Sequence, residues 1–342
     1  MKHNLQAQQI QADPALYFDE EKGIYNPVPV FPFLSEEDIV DTVEKLINEA
    51  VFREEIKVLS KKAKPSKSTI EGTNYIICLI KWHEYPELVK MLSIIREWAF
   101  RSEGGGVGNI DFDGFDLKEE MGQLIIINPE FEDIHGCIVG GYRYVVHNRD
   151  TYEAGPMGDH FQFSEAWKSS KWIELGRSFI NPYIQKRNKK GSIDYVLHGL
   201  GYIYAKNPDA EGYFGKVTLY NIYEQQKADA FFLAVAKKYF RQSGEVFVNP
   251  NERVPEGTLT PSQKELLDKG VFKGLFYLLR NEYKINLVRI MAVYNRMTGL
   301  DKMWYFGAFR HHEFGNTTEV GIAISCADIY TVIKEKFVEP YM

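Results

Sequence analysis

Apolar residues recur at helical spacing across residues 35–63, through Ile39, Val40, Val43, Leu46, Ile47, Ala50 and Val51. That rhythm predicts one helix after the proline-rich stretch 26–33. The basic, turn-rich run 64–73 (KPSKSTIEGT) reads as a connector. Residues 1–70 are therefore expected to form an N-terminal arm with one helix, and residues 71–342 the main domain. Within that domain, 74–81 is an apolar run of strand length, and 85–100 places Leu88, Met91, Leu92, Ile95, Trp98 and Ala99 in helical phase. A glycine-rich loop, 104–108, and an acidic segment follow. Residues 123–128 and 136–146 read as an antiparallel hairpin turning near 129–133. Further strands are expected at 172–181, 214–220, 284–293, 305–309 and 321–325. Helices are expected at 192–206, with Ser192 as N-cap, and at 224–240 and 327–338. This order predicts an α/β (α+β) chain with a mixed sheet flanked by helices.

Composition narrows the function classes. The chain has 342 residues, 44% hydrophobic and 26% charged, enough to bury a large core. Its three cysteines, Cys78, Cys137 and Cys326, form no C-x-x-C pair, and no His/Cys cluster has metal-ligand spacing, so neither a disulfide framework nor a metal site is expected. No apolar run approaches the roughly 18 residues of a membrane span, and a cytoplasmic, reducing address is expected. The net charge of −6 argues against nucleic acid as a general partner.

The most informative segment is 172–179, WIELGRSF, which carries Glu174 and Arg177 three residues apart. On a regular strand the two point to opposite faces, so they meet only if a bulge intervenes; otherwise they are solvated edge charges. Downstream, Gln185, Lys186, Arg187, Asn188, Lys189, Lys190, Gly191 and Ser192 form a cationic loop opening onto a helix. The backbone N–H groups and positive dipole end there suit a phosphate or pyrophosphate, the alternative being a solvated basic loop. A second constellation joins Arg96 and Phe100 on one helical face, Asp111, Asp113 and Asp116 around Gly114, and Arg143 on the hairpin. The aspartates lack EF-hand spacing. They read as a polar turn, as acids facing a cationic substrate, or as a loop locked through Arg96 and Arg143. The glycine loop is no P-loop and is expected to be a flexible connector that orders on ligand binding. His311-His312-Glu313 reads as a surface turn, and no serine sits in a nucleophile elbow.

Together these pieces resemble the acyl-chain branch of the GNAT superfamily, over roughly residues 74–324. Arg96 with Phe100, Asp113 with Asp116, Arg143, and Glu174 with Arg177 and Phe179 follow the order of the acyl-homoserine-lactone synthase motifs, with one residue inserted before Phe179. A tryptophan usual in those synthases after Phe100 is absent, which disfavours a lactone product. The segments 96–101, 110–116, 174–179, 213–220 and 312–315 are more similar to the hemolysin-labelled N-acyltransferases that make ornithine and glycine lipids. The general GNAT donor signature is degenerate here, with Gln185-Lys186-Arg187-Asn188 in its place.

The resemblance implies a GNAT-like, mostly antiparallel sheet and an N-acyltransferase that moves a long-chain fatty acyl group from acyl carrier protein, or from acyl-CoA, to the amine of glycine or an ornithine-type amino acid in aminolipid synthesis. No permanently bound cofactor is implied, and contact with the inner-membrane surface is compatible with it. Glu174, Arg177 and Arg143 are the implied catalytic group. Glu174 accepts the amine proton, the two arginines hold the acceptor's carboxylate or the acidic loop, and backbone N–H groups at 179–181 polarise the thioester carbonyl. Arg96, Phe100, Asp113, Asp116 and Phe179 line the substrate site. Gln185, Lys186, Arg187, Lys189, Lys190, Gly191 and Ser192 take the phosphopantetheine and the acidic carrier. Tyr213, Phe214, Tyr220, Phe231 and Phe232 line an acyl tunnel or belong to the core. The competing classes are a GNAT acetyltransferase using acetyl-CoA and a non-catalytic acyl-carrier-binding module.

Overall fold

A computed structural model describes residues 18–19, 24–25, 31–63, 68–187, 192–219, 225–254, 257–269, 287–315 and 317–342. The first apolar rhythm forms two helices, α1 (Glu36–Leu46) and α2 (Glu49–Ala63), where one was expected. Ser35 caps α1 through a capping box with Asp38, and Ile47 ends it in an extended conformation. Asn48 then restarts the chain by accepting from the Val51 amide. A local polar side chain thus interrupts a continuous apolar stripe.

Both helices pack on α3 (Pro86–Arg101), sharing one apolar cluster that includes Ile39, Phe52, Ile56, Leu88, Leu92 and Ile95. The N-cap residue of α3, Tyr85, makes no side-chain cap. Glu55 of α2 substitutes, accepting from the Glu87 and Leu88 amides, while Glu87 accepts from the Asn48 amide.

The sheet strands are β1 (Ile76–Ile80), β2 (Gly122–Ile127), β3 (Ile138–Val146), β5 (Trp172–Ile180), β6 (Gly212–Leu219), β7 (Arg241–Gln242), β9 (Trp304–His311) and β10 (Thr317–Ser325). Their order is β1-β2-β3-β5-β6-β10-β9-β7. All neighbours are antiparallel except the pairs β5–β6 and β9–β7. Strands β4 (Phe161–Phe163) and β8 (Val246–Val248) form a separate antiparallel pair. Further helices among the described residues are α4 (Pro182–Arg187), α5 (Ser192–Lys206), α6 (Gln225–Tyr239), α7 (Pro261–Lys269), α8 (Leu287–Thr298) and α9 (Thr331–Phe337). This is the mixed sheet flanked by helices that the pattern predicts, and it is mostly antiparallel, as the resemblance implies.

One sheet face is covered by α5 with α6, α8 and α9. The opposite face carries α1–α3 over β1–β3 and, beyond them, the β4/β8 layer, with Tyr152, Phe161, Trp167 and Phe214 packed against Phe306 and Phe309. The strand expected at 284–293 is contradicted by α8, which begins at Leu287. Its apolar residues fall on a helical stripe, and a short apolar run does not separate the two periods. Among the described residues no helix is long and apolar enough to cross a membrane.

Candidate active site

Strands β5 and β6 are hydrogen-bonded only from Trp172↔Gly212 to Leu175↔Gly215; beyond that point they part. At the same place the β3–β5 register slips between Gly141↔Phe179 and Arg143↔Gly176, and Arg177 takes φ 53°, the only left-handed non-glycine among the described residues. The bulge on which the Glu174–Arg177 reading depended is present. A cavity of about 550 Å³ opens at the divergence, and Phe100, Asp113, Arg143, Glu174, Arg177 and Phe179 all line it. A smaller cavity behind the splay, lined by Leu200, Tyr213, Phe214, Met297, Ile322 and Ile324, shares Leu175, Gly176 and Lys216 with it.

Glu174 is buried and held from two sides. Oε1 accepts from the Met157 amide at 2.9 Å, and Oε2 lies 2.8 Å from His147 Nε2. Its register neighbour is Phe214, whose ring packs near His147 and Tyr152. His147 carried no sequence signal, because this pairing joins a strand to the residue just past the end of a hairpin, 27 positions away.

The acidic segment is a locked loop, one of the three readings the sequence left open. Arg96, fully buried, donates from Nε to Asp111 Oδ2 at 2.6 Å, from Nη2 to Asp116 Oδ2 at 3.1 Å and to the Asp111 carbonyl, and from Nη1 to Gln123 at 3.3 Å. Arg143 donates to both Asp113 oxygens at 2.7 Å. Arg177 approaches Asp111 and Asp113 at 3.4 and 3.6 Å, with its guanidinium 4.5 Å from the Phe314 ring centre. Burial opposes the charge on Asp113, but Arg143, Arg177 and Arg96 outweigh it and hold its carboxyl at about 2. Arg96 and Asp116 lie behind the cavity wall and orient the residues that line it.

The glycine loop differs from the expected flexible connector. Glu97 accepts from the Val107 and Gly108 amides at 2.9 Å each, and a side chain at Gly106 would collide with that carboxylate. Four residues of α3 and its loop therefore act as one structural unit.

Sequence reasoning missed a polar row on β6, β10 and β9. Lys216, Thr218, Glu319 and His311 line the same cavity. In register, Thr218 faces Glu319, which faces Phe309, and His311 faces Thr317. Thr218 and Thr317 donate to Glu319 at 3.0 and 3.1 Å, and His311 Nδ1 stands 3.8 Å from it. Burial opposes the Glu319 charge, while His311 and Lys216 favour it and hold its carboxyl at about 2. Burial lowers the pKa of both Lys216 and His311. The available signal was the alternation at 213–219 and 317–325, which sets these residues on one face. His311, read as part of a surface turn, is instead a cavity residue at the end of β9.

The donor-side residues are distributed unevenly. Gln185 lines the cavity with Glu174. Lys186 and Arg187 do not; both are exposed, with Lys186 over Trp98 and Arg187 over Tyr183 and 3.3 Å from Glu36. Both sit in the last turn of α4. Lys189, Lys190 and Gly191 lie outside the described residues, and of Ser192 only its place at the start of α5 is described. The Asn181 amide donates to the Val139 carbonyl and so is not free to polarise a thioester. Phe231 and Phe232 are core residues, and Tyr220 lies outside the described residues.

No protein-family model matches the chain. It is 31% identical over 310 residues to a glycine N(alpha)-acyltransferase of Bacteroides thetaiotaomicron, covering 86% of this chain and 87% of that one. A glycine N(alpha)-acyltransferase of Phocaeicola vulgatus is 28% identical over 286 residues, covering 78% and 84%. Among solved structures, FeeM, an N-acyl amino acid synthase from uncultured soil microbes, aligns with TM-score 0.37 at 9% identity over 74% of this chain and 93% of that one. Arabidopsis thaliana NAA60 in complex with acetyl-CoA aligns with TM-score 0.26 at 10% identity over 42% and 75%. The identity to the first relative, sustained over nearly the whole of both chains, shows that this chain belongs to the family of these glycine N(alpha)-acyltransferases and is an acyltransferase.

Proposed function

We propose that the protein transfers a long-chain fatty acyl group from acyl carrier protein, or from acyl-CoA, to the α-amine of glycine, with ornithine-type amino acids as the alternative acceptors, in the synthesis of aminolipids. The observation that carries this reading is the gap between β5 and β6, with Glu174 beside it and an apolar cavity behind it. The pantetheine thioester enters the gap, and the alkyl chain follows the apolar side past Leu200, Tyr213 and Ile322.

The amine nitrogen attacks the thioester carbonyl carbon, its proton passes to Glu174 directly or through a water, and the C–S bond breaks with its electron pair going to the pantetheine sulfur, which leaves and takes up a proton as the free thiol. An amine with pKa about 10 is only about a thousandth free base at neutral pH, so a fixed acceptor beside it matters. Backbone N–H groups of β5 past Leu175, where strand pairing with β6 has ended, stabilise the oxyanion. Phe100 and Phe179 shape the opening, and Arg143 and Arg177 fix the acidic loop that closes its other side. The basic run Lys186, Arg187, Lys189, Lys190 is assigned to docking the acidic carrier, and Gln185, Gly191 and Ser192 to its phosphopantetheine. A product with one long chain partitions to a membrane surface, which favours a peripheral site of action.

Purified protein incubated with palmitoyl carrier protein or palmitoyl-CoA and a panel of amino acids should release an N-palmitoyl amino acid, read by mass spectrometry. Acetyl transfer alone, with no long-chain product, overturns the reading.

A further inference from the structure

Among the described residues, the polar row opposite Glu174 contains a cation, Lys216, with no carboxylate hydrogen-bonded to it. Arg143 is spent on Asp113, and Arg177 is drawn to Asp111 and Asp113. Lys216 reaches into the cavity with its ammonium 5.3 Å from the Phe309 ring centre, and among the described residues no ion pair within 4 Å holds it. The anion that most favours its charge, Glu319, is occupied by Thr218, Thr317 and His311. A half-buried ammonium on a cavity wall, balanced by a nearby but not bonded carboxylate, is a site for a small anion.

The strand geometry says which anion. Glu174 pairs with Phe214, and Lys216 stands two residues further along β6 on the same face. Two residues along a strand span roughly 7 Å. A molecule placed between the two side chains must present an anion to one and an amine to the other across a very short spacer. An α-amino acid, with one carbon between carboxylate and amine, meets that requirement.

We propose that Lys216 is the acceptor-carboxylate anchor: it binds the carboxylate of the incoming amino acid and so turns its amine toward Glu174 and the thioester. This deepens the amino-acid acylation reading and rests on it. Lys216 is a binding and specificity residue, and Glu319 is a positioning residue that keeps an anion beside the ammonium when the site is empty. The device selects for a carboxylate on the acceptor rather than for a particular side chain.

The test compares glycine with glycinamide, which keeps the amine and loses the anion, using palmitoyl-CoA or palmitoyl carrier protein as donor. Wild-type enzyme should prefer glycine by about 100-fold in kcat/KM, the size of one charge-assisted contact. Lys216→Met should raise the glycine KM by a similar factor, with little change in kcat at saturation, and bring the two acceptors to near parity. Lys216→Arg should keep the preference for glycine. Lys216→Gln provides the same comparison if the methionine variant does not fold. Selectivity for glycine that survives in Lys216→Met or Lys216→Gln overturns the anchor while leaving the amino-acid reading intact. A wild-type enzyme that acylates both amines equally overturns the anchor alone, and one that acylates no amino acid removes the amino-acid reading and the anchor together.

Discussion

Arg96 shows how a residue can shape the site without touching substrate. It is fully buried and supplies three carboxylate or carbonyl partners to the acidic loop. Replacing it with methionine leaves Asp111 and Asp116 buried with their main cation gone. The expected cost is about 3–5 kcal/mol, typical of removing one partner of a buried pair. A urea midpoint lowered at unchanged m-value checks it. Glu174 calls for the opposite outcome. Glutamine at that position can still accept from the Met157 amide and meet His147, so Glu174→Gln should melt as wild type while kcat falls at least about 100-fold. A variant with full turnover would take Glu174 out of the proton path.

At the scale of elements, the divergence of β5 from β6 depends on where strand pairing stops, and backbone constraints set that point. Gly215 faces the Leu175 carbonyl so closely that no side chain fits, which draws the strands together up to the last pair. The bulge at Arg177 then turns β5 away. A related contact holds the opposite layer: Gly201 of α5 packs its Cα against the Phe337 carbonyl at the end of α9. Alanine inside a helix ordinarily gains about 1 kcal/mol over glycine. Gly201→Ala should reverse that sign, because the added methyl would fall on backbone that cannot rotate aside. Thermal unfolding of the variant decides it; an increase in Tm would mean that α9 is free to move.

Across the whole molecule, buried charge is concentrated around one cavity, and this makes stability depend on pH. Folding holds the Glu319 and Asp113 carboxyls at about 2, below their unfolded range near 4, and lowers that of Asp116. The folded state therefore binds fewer protons than the unfolded one between these values. The stabilisation is complete above about pH 4 and is lost as pH falls toward 2. Burial raises the carboxyls of Glu55 and Glu97, which act in the opposite sense toward neutral pH. Chemical denaturation at pH 7 and pH 3 should show a fall in stability that is smaller in Glu319→Gln. An equal fall in both proteins would assign the acid sensitivity elsewhere.

Much of this architecture is local and was legible in the sequence. The helix at 86–101, the 122–146 hairpin, the strand bearing Glu174 and the helix at 192–206 follow from apolar periodicity, because each buries one face. The resemblance to the acyl-homoserine-lactone synthase motifs likewise linked Arg96, Asp113, Asp116, Arg143, Glu174 and Arg177, since a motif survives as order along the chain. Which of them face a cavity is a different kind of fact. Strand register, a bulge one residue long and the point where pairing ends brought Glu174, Lys216, Glu319 and His311 to one cavity, while the packing of α3 against the acidic loop set Arg96 and Asp116 behind its wall. Such contacts join residues far apart along the chain, as Thr218 and Glu319, 101 positions apart, are. The sequence determined the elements and the chemistry they carry; only tertiary packing decided which charges neutralise one another and which remain open to a ligand, because burial and pairing belong to the assembled sheet rather than to any segment of it.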